Sequence, residues 1–295
     1  MNRIVIVTDS TSDLRDDQYL EMGADIVSLK VNFGHEAFTD RVDMNTEKLY
    51  ECVEKYKMLP KTSAPNVDDI TKMFKKHLDL NEDIIFVPIS SDFSSCFSDG
   101  KIAASYFSEE EQKRIRCLDS RSLSSGIGLV LYYLYREIQA GKTLEEVYQA
   151  GLEVVDKVHA GFVVDTMEYL YKGGRCSGVA YFAGSLLKLH PVIRVEHGKM
   201  VVEKITHGKI VKGVDYQLEE FKKQVDSDNV IMDQIFVTHS LGGDMVPYML
   251  KKAKEIVGKE YEGCVSVTPA GSIVSSHCGK GTIGILYITK TKVIK

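Results

Sequence analysis

Apolar and polar positions follow two periods along the first half of the chain, one typical of buried strands and one typical of helices. Short runs of mainly apolar residues predict buried strands at residues 3–8 and 84–89. Apolar residues spaced three and four apart predict helices at residues 14–22, 67–78 and 122–140. Strands that alternate with helices predict a parallel sheet covered by helices.

The remaining pattern of the first half fits the same scheme. Further strands are predicted at residues 25–31 and 114–118, and further helices at residues 46–57, 95–107 and 143–158. The last helix opens with a capping box, Thr143 followed three residues later by Glu146.

The second half has a different rhythm. Strands at residues 192–195 and 200–205 flank a turn that contains Gly198, which predicts a hairpin. Helices are predicted at residues 210–225 and 245–256, and strands at residues 235–238, 263–268 and 283–289. We therefore predict an α/β protein of two domains, an N-terminal α/β domain at residues 1–160 and a mixed α/β domain at residues 161–295.

Composition narrows the classes of function. Hydrophobic residues make up 44% and charged residues 27% of the 295 residues, which is ordinary for a globular protein. A net charge of -5 argues against nucleic acid as a partner. Neither a signal peptide nor an apolar run of about 20 residues is apparent, so we expect a cytoplasmic protein without a transmembrane segment, which leaves transient membrane contact open.

Four segments carry groups that suit an anion, namely residues 61–65, 90–95, 172–175 and 277–281. Three of them are predicted to lie in turns just ahead of helices, where hydroxyls and unpaired N–H groups bind carboxylate or phosphate. Thr62 and Ser63 form one hydroxyl pair, and Ser94 and Ser95 form another. Helix capping and ligand binding explain these pairs about equally well.

The third segment joins two glycines to Arg175, which permits close backbone approach beside a planar cation; the alternative is a solvated surface turn. Cys96, Cys176 and Cys278 each adjoin one of the segments. Small residues in crowded turns explain them better than a metal site, because no acidic or histidine ligand set accompanies them. We expect no metal and no cofactor.

Ser240 offers an alternative function. It lies between a strand and a helix in a His-Ser-Leu-Gly-Gly run, with His277 downstream as a base, as in a serine esterase or lipase. Thr238 crowds the tight turn that such a nucleophile needs, and no carboxylate follows a strand at the expected place. We predict instead that Ser240 caps the helix that begins near Gly243.

Taken together and in order, these segments resemble the DegV family of bacterial fatty-acid-binding proteins over nearly the whole chain. The resemblance is carried by TDSTSDL at residues 8–14, TSAP at 62–65, ISSDFSS at 89–95, DSR at 119–121, DTMEYL at 165–170, GGR at 173–175 and HCGKG at 277–281. The sequence departs from the family pattern at Ser95, where glycine is usual, and at Lys280, where proline is common. A histidine turn also occupies the position of Ser240 in the family, so the likeness to lipases is accidental.

The resemblance implies a carrier subunit rather than an enzyme, with no catalytic residue of its own. One long-chain fatty acid would bind with its carboxylate between the domains and its chain in a tunnel of the C-terminal domain. Thr62 and Ser94 match the family's carboxylate-binding hydroxyls, and the N–H of Ser95 would serve as a third donor. Arg175 and His277 match polar residues near the head group. A separate ATP-dependent fatty acid kinase would receive the bound acid and make the acyl phosphate.

Beside the carrier and the serine esterase, a third hypothesis is a sensor of a small acid or phosphate ester that has the same anion site and no acyl tunnel.

Overall fold

The computed structural model describes residues 2–176 and 189–292 and divides the chain into two halves, each with its own main sheet. The N-terminal half contains, in chain order, β1 (Ile4–Asp9), α1 (Asp16–Met22), β2 (Asp25–Val27), β3 (Lys30–Phe33), β4 (Glu36–Thr39), α2 (Thr46–Tyr56), β5 (Lys61–Ser63), α3 (Val67–Asp79), β6 (Asp83–Val87), α4 (Cys96–Ser105), α5 (Glu109–Gln112), β7 (Ile115–Cys117), α6 (Ser125–Gln139) and α7 (Leu144–Val154). The C-terminal half contains β8 (Val158–Val163), α8 (Glu168–Gly173), β9 (Leu189–Glu196), β10 (Lys199–His207), α9 (Val211–Asp226), β11 (Val230–His239), α10 (Met245–Val257), β12 (Val265–Pro269), α11 (Ser272–Cys278) and β13 (Ile283–Thr289).

The predicted parallel sheet of the N-terminal half is confirmed. Its strand order is β2–β1–β6–β7, and every pairing is parallel. Successive residues of β1 are buried on opposite faces: Val5 and Val7 contact α3 and α4 residues, whereas Ile6 joins the core that includes α6. A strand covered on both faces needs a continuous apolar run, which is why the sequence showed no alternation there.

A second, three-stranded antiparallel sheet in this half was not predicted. Residues 25–31 were expected to form one strand, but β2 ends at Val27 and β3 begins a separate sheet of order β4–β3–β5. In β3, Val31 and Phe33 are buried while Lys30 and Asn32 are half-buried, as expected for a strand with one face toward water. This small sheet packs against α11 of the C-terminal half.

The mixed sheet of the C-terminal half is also confirmed. Its strand order is β10–β9–β8–β13–β11–β12, with β11 and β12 parallel and the other neighbours antiparallel. Helices α9 and α10 cover its outer face. Helix α6 contacts its inner face and also the N-terminal sheet, so one helix connects the cores of both halves.

The predicted helix at residues 143–158 is too long. Its capping box at Thr143 and Glu146 is present, but α7 ends at Val154 and β8 begins at Val158 after one turn of 3-10 helix. Both partners of β8 belong to the C-terminal sheet. We therefore propose that the domain division lies just before Val158 rather than after residue 160.

Candidate ligand-binding site

A cavity of about 190 Å³ lies where the two halves meet. All six residues predicted for the site line it, although they come from four separate parts of the chain: Thr62, Ser63, Ser94, Ser95, Arg175 and His277. The cavity is therefore the place where the candidate residues meet.

The rest of the lining is mainly apolar and comes from both halves. The N-terminal half contributes Leu29, Ile89, Phe93 and Leu123, and the C-terminal half contributes Phe162, Leu170, Met200 and Leu286. A mainly apolar cavity with a few convergent polar groups is typical of a site for a small amphipathic ligand. Sequence patterns did not identify these apolar residues as lining, because they have the same periodicity as core residues.

The local structure around the polar residues differs from the prediction of turns ahead of helices. Ser94 and Ser95 directly precede a helix, α4, and the residues that follow Cys176, up to residue 188, lie outside the described part of the chain. Thr62 and Ser63 lie in β5, and Arg175 follows the end of α8. His277 lies in the last turn of α11, a helix that was not predicted.

Helix capping does not explain the hydroxyl pair at Thr62 and Ser63. The cap of α3 is Asn66, whose side chain accepts a hydrogen bond of 2.7 Å from Asp69 N–H. Thr62 instead lies 2.8 Å from Nε2 of His277 through its Oγ1. Ser63 is exposed, and its hydroxyl is 3.3 Å from the Asn32 amide nitrogen.

The environment of His277 keeps its ring neutral. Burial, and to a smaller extent the nearby Arg175 guanidinium, lower the pKa of His277 to about 4. Its Nδ1 is buried and has no hydrogen-bond partner among the described residues.

An unpaired buried N–H donor is rarer in proteins than an unpaired acceptor. The tautomer with hydrogen on Nε2 is therefore favoured, so that Nε2 donates to Thr62 Oγ1. The Thr62 hydroxyl hydrogen is then available to a ligand.

The hydroxyls of Ser94 and Ser95 have different hydrogen-bond partners. Ser94 Oγ lies 3.1 Å from the Cys96 thiol, a weak partner, and is half-buried at the cavity. Ser95 Oγ donates to Asp99 Oδ2 at 2.6 Å. Its hydroxyl is thus engaged, and the backbone N–H is the group that Ser95 would offer a ligand.

The glycine pair before Arg175 has a specific packing role. A Cβ on Gly173 would lie 2.7 Å from Nδ1 of His277, so only glycine lets the imidazole pack there. Gly174 ends α8 with φ of +66°, a left-handed conformation that suits glycine. Arg175 is exposed at the cavity and donates to Gly173 C=O at 2.7 Å, and its other N–H groups have no hydrogen-bond partner among the described residues.

Ser240 is not arranged as a nucleophile. It is buried, its Oγ donates to Ser275 Oγ at 2.7 Å, and the Tyr50 hydroxyl lies 2.5 Å away. Within the described residues no hydrogen bond joins Ser240 to His277, whose Nε2 is paired with Thr62. The predicted cap is also wrong: Asp244 is the N-cap of α10. Tyr50 is a cavity neighbour that no sequence signal indicated.

Cys278 lines the cavity, and burial raises its pKa to about 12, so it stays a thiol. In the part of the chain that the structure describes, no group of three or more His, Cys, Asp or Glu side chains is placed to hold a metal ion.

Over the same residues, no helix is long and apolar enough to cross a membrane.

Comparisons with a family model and with related proteins indicate the same family. A family model described as the DegV family of uncharacterised proteins matches residues 3–290. A DegV domain-containing protein of Clostridium acetobutylicum is 32% identical over 289 residues, covering 97% of this chain and 98% of that protein.

Two solved structures at 25% identity are similar over nearly their full length. One is described as showing fatty acid binding of a DegV family protein from Thermus thermophilus; it has a TM-score of 0.86 and covers 97% of this chain and 99% of that one. The other is a stearic-acid-binding protein from Eubacterium ventriosum, with a TM-score of 0.84 and coverage of 98% and 99%. The sequence, the cavity and these relatives agree, and the chain belongs to the DegV family.

Proposed function

We propose that this protein binds one long-chain fatty acid in the cavity between its halves. The observation that best supports this proposal is the lining of the cavity. Apolar side chains form most of its wall, and uncharged hydrogen-bond donors lie together beside an exposed arginine. Thr62, Ser94 and the N–H of Ser95 bind the carboxylate, with His277 and Arg175 beside it, and the acyl chain lies along the apolar wall. Two relatives described as binding fatty acid support the proposal.

The energetics favour an amphipathic acid over a small one. Each buried methylene contributes roughly 0.8 kcal/mol, so a chain of about sixteen carbons contributes on the order of 10 kcal/mol before the cost of association. A carboxylate buried without donors would lose much of this gain. The hydroxyls of Thr62 and Ser94 meet that need without placing a nucleophile beside the ligand.

Native mass spectrometry of the purified and the delipidated protein tests the proposal. We expect one fatty acid per chain in the purified protein, and rebinding of palmitate after delipidation. Palmitic acid methyl ester, which lacks the charge, should bind at least about tenfold more weakly. Bare protein that fails to bind palmitate but binds acetate or a phosphate ester would favour the small-acid sensor instead.

We further propose that the bound acid is presented to a separate ATP-dependent kinase. Arg175 is exposed at the cavity, where its free donors can stabilise charge on a phosphoryl group in transfer. With such a kinase, Arg175→Ala should lower the rate of acyl phosphate formation about a hundredfold or more while palmitate affinity changes less than about threefold. Equal losses of rate and affinity would contradict a role in transfer.

A further inference from the structure

Helix α11 forms part of the cavity wall, yet side chains from the N-terminal half hold its start. Asp13 Oδ1 accepts a hydrogen bond of 2.8 Å from Gly271 N–H. Asp40 Oδ1 accepts from the N–H of Ser272 at 3.2 Å and from its hydroxyl at 2.5 Å. These contacts span more than two hundred residues of sequence.

One more contact completes the attachment. Thr46 Oγ1 donates to Ala270 C=O at 2.6 Å, immediately before the helix. At the other end of α11, His277 Nε2 pairs with Thr62 of β5. The helix is thus held by the N-terminal half at both ends, and the second attachment belongs to the ligand site.

Burying the carboxyl groups of Asp13 and Asp40 at the start of α11 costs free energy of desolvation. Asp13 and Asp40 are each 1% exposed, and Asp40 Oδ2 finds no partner of good hydrogen-bond geometry among the described residues. A Cβ on Gly271 would lie 2.9 Å from Asp13 Oδ1 and 3.7 Å from Asp40 Oδ2, so glycine is needed for both carboxyls to approach the chain. Buried carboxyls that serve only packing are disfavoured against apolar residues, which suggests a role in placement.

We propose that Asp13 and Asp40 are positioning residues for the ligand site: they fix the start of α11 and thereby hold His277 against Thr62. Helix α11 rises about 1.5 Å per residue, so its seven residues transmit a shift at Gly271 to His277 as a rigid rod of about 10 Å. This inference rests on the proposed binding of an acid at Thr62, but the placement of His277 can be measured without a ligand.

The protonation state of Asp13 shows which substitution should preserve its hydrogen bonds. Burial is the largest cause that raises the pKa of Asp13 to about 8; the hydrogen bonds from Ser124 and Gly271 oppose the rise, and the carboxyl of Asp40 adds to it. Arg41, Tyr19 of α1 and Cys278 of α11 are the other charged or titratable groups near it. Asp13 is therefore largely neutral at pH 7. Asparagine can replace it as acceptor toward Gly271, and its NH₂ group can donate to Ser124 Oγ once that hydroxyl, which donates to Asp13 Oδ2 here, turns to accept.

The test compares Asp13→Ala with Asp13→Asn by NMR of ¹⁵N-histidine-labelled protein, with His277 assigned through His277→Gln. We expect Asp13→Ala to move the His277 ring signals and raise the pKa of His277 toward 6.5, and to weaken palmitate binding about tenfold, the size of one lost hydrogen bond to a buried group. Asp13→Asn should keep the wild-type signals and affinity.

Two further variants keep the test decisive. Thr46→Val removes one attachment only and should shift the His277 signals in the same direction by less, even if Asp13→Ala does not fold. His77→Ala removes a buried polar side chain of α3 away from α11 and should leave the His277 signals unchanged. Folded Asp13→Ala or Thr46→Val protein with wild-type His277 signals would overturn the positioning role. Failure of the wild type to bind palmitate would overturn the proposed function alone.

Discussion

Two histidines of this protein, His77 and His277, have opposite surroundings. His77, 4% exposed at the end of α3, has a carboxylate at each ring nitrogen: Glu82 Oε2 at 2.7 Å from Nδ1 and Asp25 Oδ2 at 2.9 Å from Nε2. Burial alone would raise the pKa of Asp25, but Lys76 and His77 lower it. His277 has one neutral hydroxyl partner, and its buried Nδ1 has no hydrogen-bond partner among the residues that the structure describes.

The difference separates a structural cluster from a binding site. Around His77 every ring nitrogen is paired with a charged group, so nothing is left for a ligand to bind. Around His277 the hydrogen-bonding partner is a neutral hydroxyl, pairing is incomplete among the described residues, and these groups line a cavity beside the Arg175 guanidinium. Incomplete pairing destabilises the unliganded protein but keeps donors available, as expected at a functional site.

If its two carboxylate partners make His77 structural, His77→Ala should have the largest effect on stability. It removes two hydrogen bonds to carboxylates, each roughly 1.5–3 kcal/mol, although Arg3 still pairs with Glu82 and Lys76 with Asp25. Urea unfolding measures the loss, with exposed His35→Ala as the matched control, which should change stability by less than about 0.5 kcal/mol. Palmitate affinity per folded molecule should not change; a parallel loss of affinity would link the two regions.

The neutral state of His277 should make folding stability depend on pH. Its folded pKa of about 4 lies below the ordinary value of 6.5, so its contribution is complete above pH 6.5 and is lost as the pH falls toward 4. The difference in unfolding free energy between wild type and His277→Gln should therefore change by roughly 3 kcal/mol over that window. Parallel curves for the two proteins would show that His277 is not buried as a neutral ring.

Removing the hydroxyls of the binding site should affect affinity more than stability. Thr62→Val and Ser94→Ala should each weaken palmitate binding about tenfold or more, because each removes a charge-assisted hydrogen bond of roughly 1.5–3 kcal/mol. The losses should not add in the double variant, since both donors serve one carboxylate. Calorimetry measures the cycle, with Ser98→Ala, an exposed hydroxyl on α4, as control. Wild-type affinity in both single variants would remove these residues from the site.

Ser240→Ala should give the smallest effect. It removes one partner each from Tyr50 and Ser275 and should cost about 1 kcal/mol of stability, with palmitate affinity unchanged within about threefold. Hydrolysis of p-nitrophenyl esters should be at background in both proteins. Hydrolysis by the wild type that this change abolishes would revive the esterase alternative.

Hydrophobic periodicity predicted those helices whose own sequence contains helical spacing of apolar residues or a capping motif. The capping box at Thr143 is as predicted, and α1 ends at Met22, the predicted limit, followed by a left-handed glycine, Gly23. Helix α11 gave no such signal, because its sequence Ser-Ile-Val-Ser-Ser-His-Cys contains β-branched residues and serines, which are weak helix formers. Contacts with Asp13 and Asp40 stabilise it instead, and these are invisible to a local pattern.

The candidate site shows the same division. The sequence by itself determined the residue types that suit an anion and, through resemblance to the family, the six residues to examine. Only the tertiary structure decided that Thr62 and His277, 215 residues apart, share a hydrogen bond, and that Ser240 packs against Tyr50 rather than meeting a catalytic base. The physical reason is that local pattern depends on neighbours in sequence, whereas hydrogen bonding, burial and the resulting pKa values depend on neighbours in space.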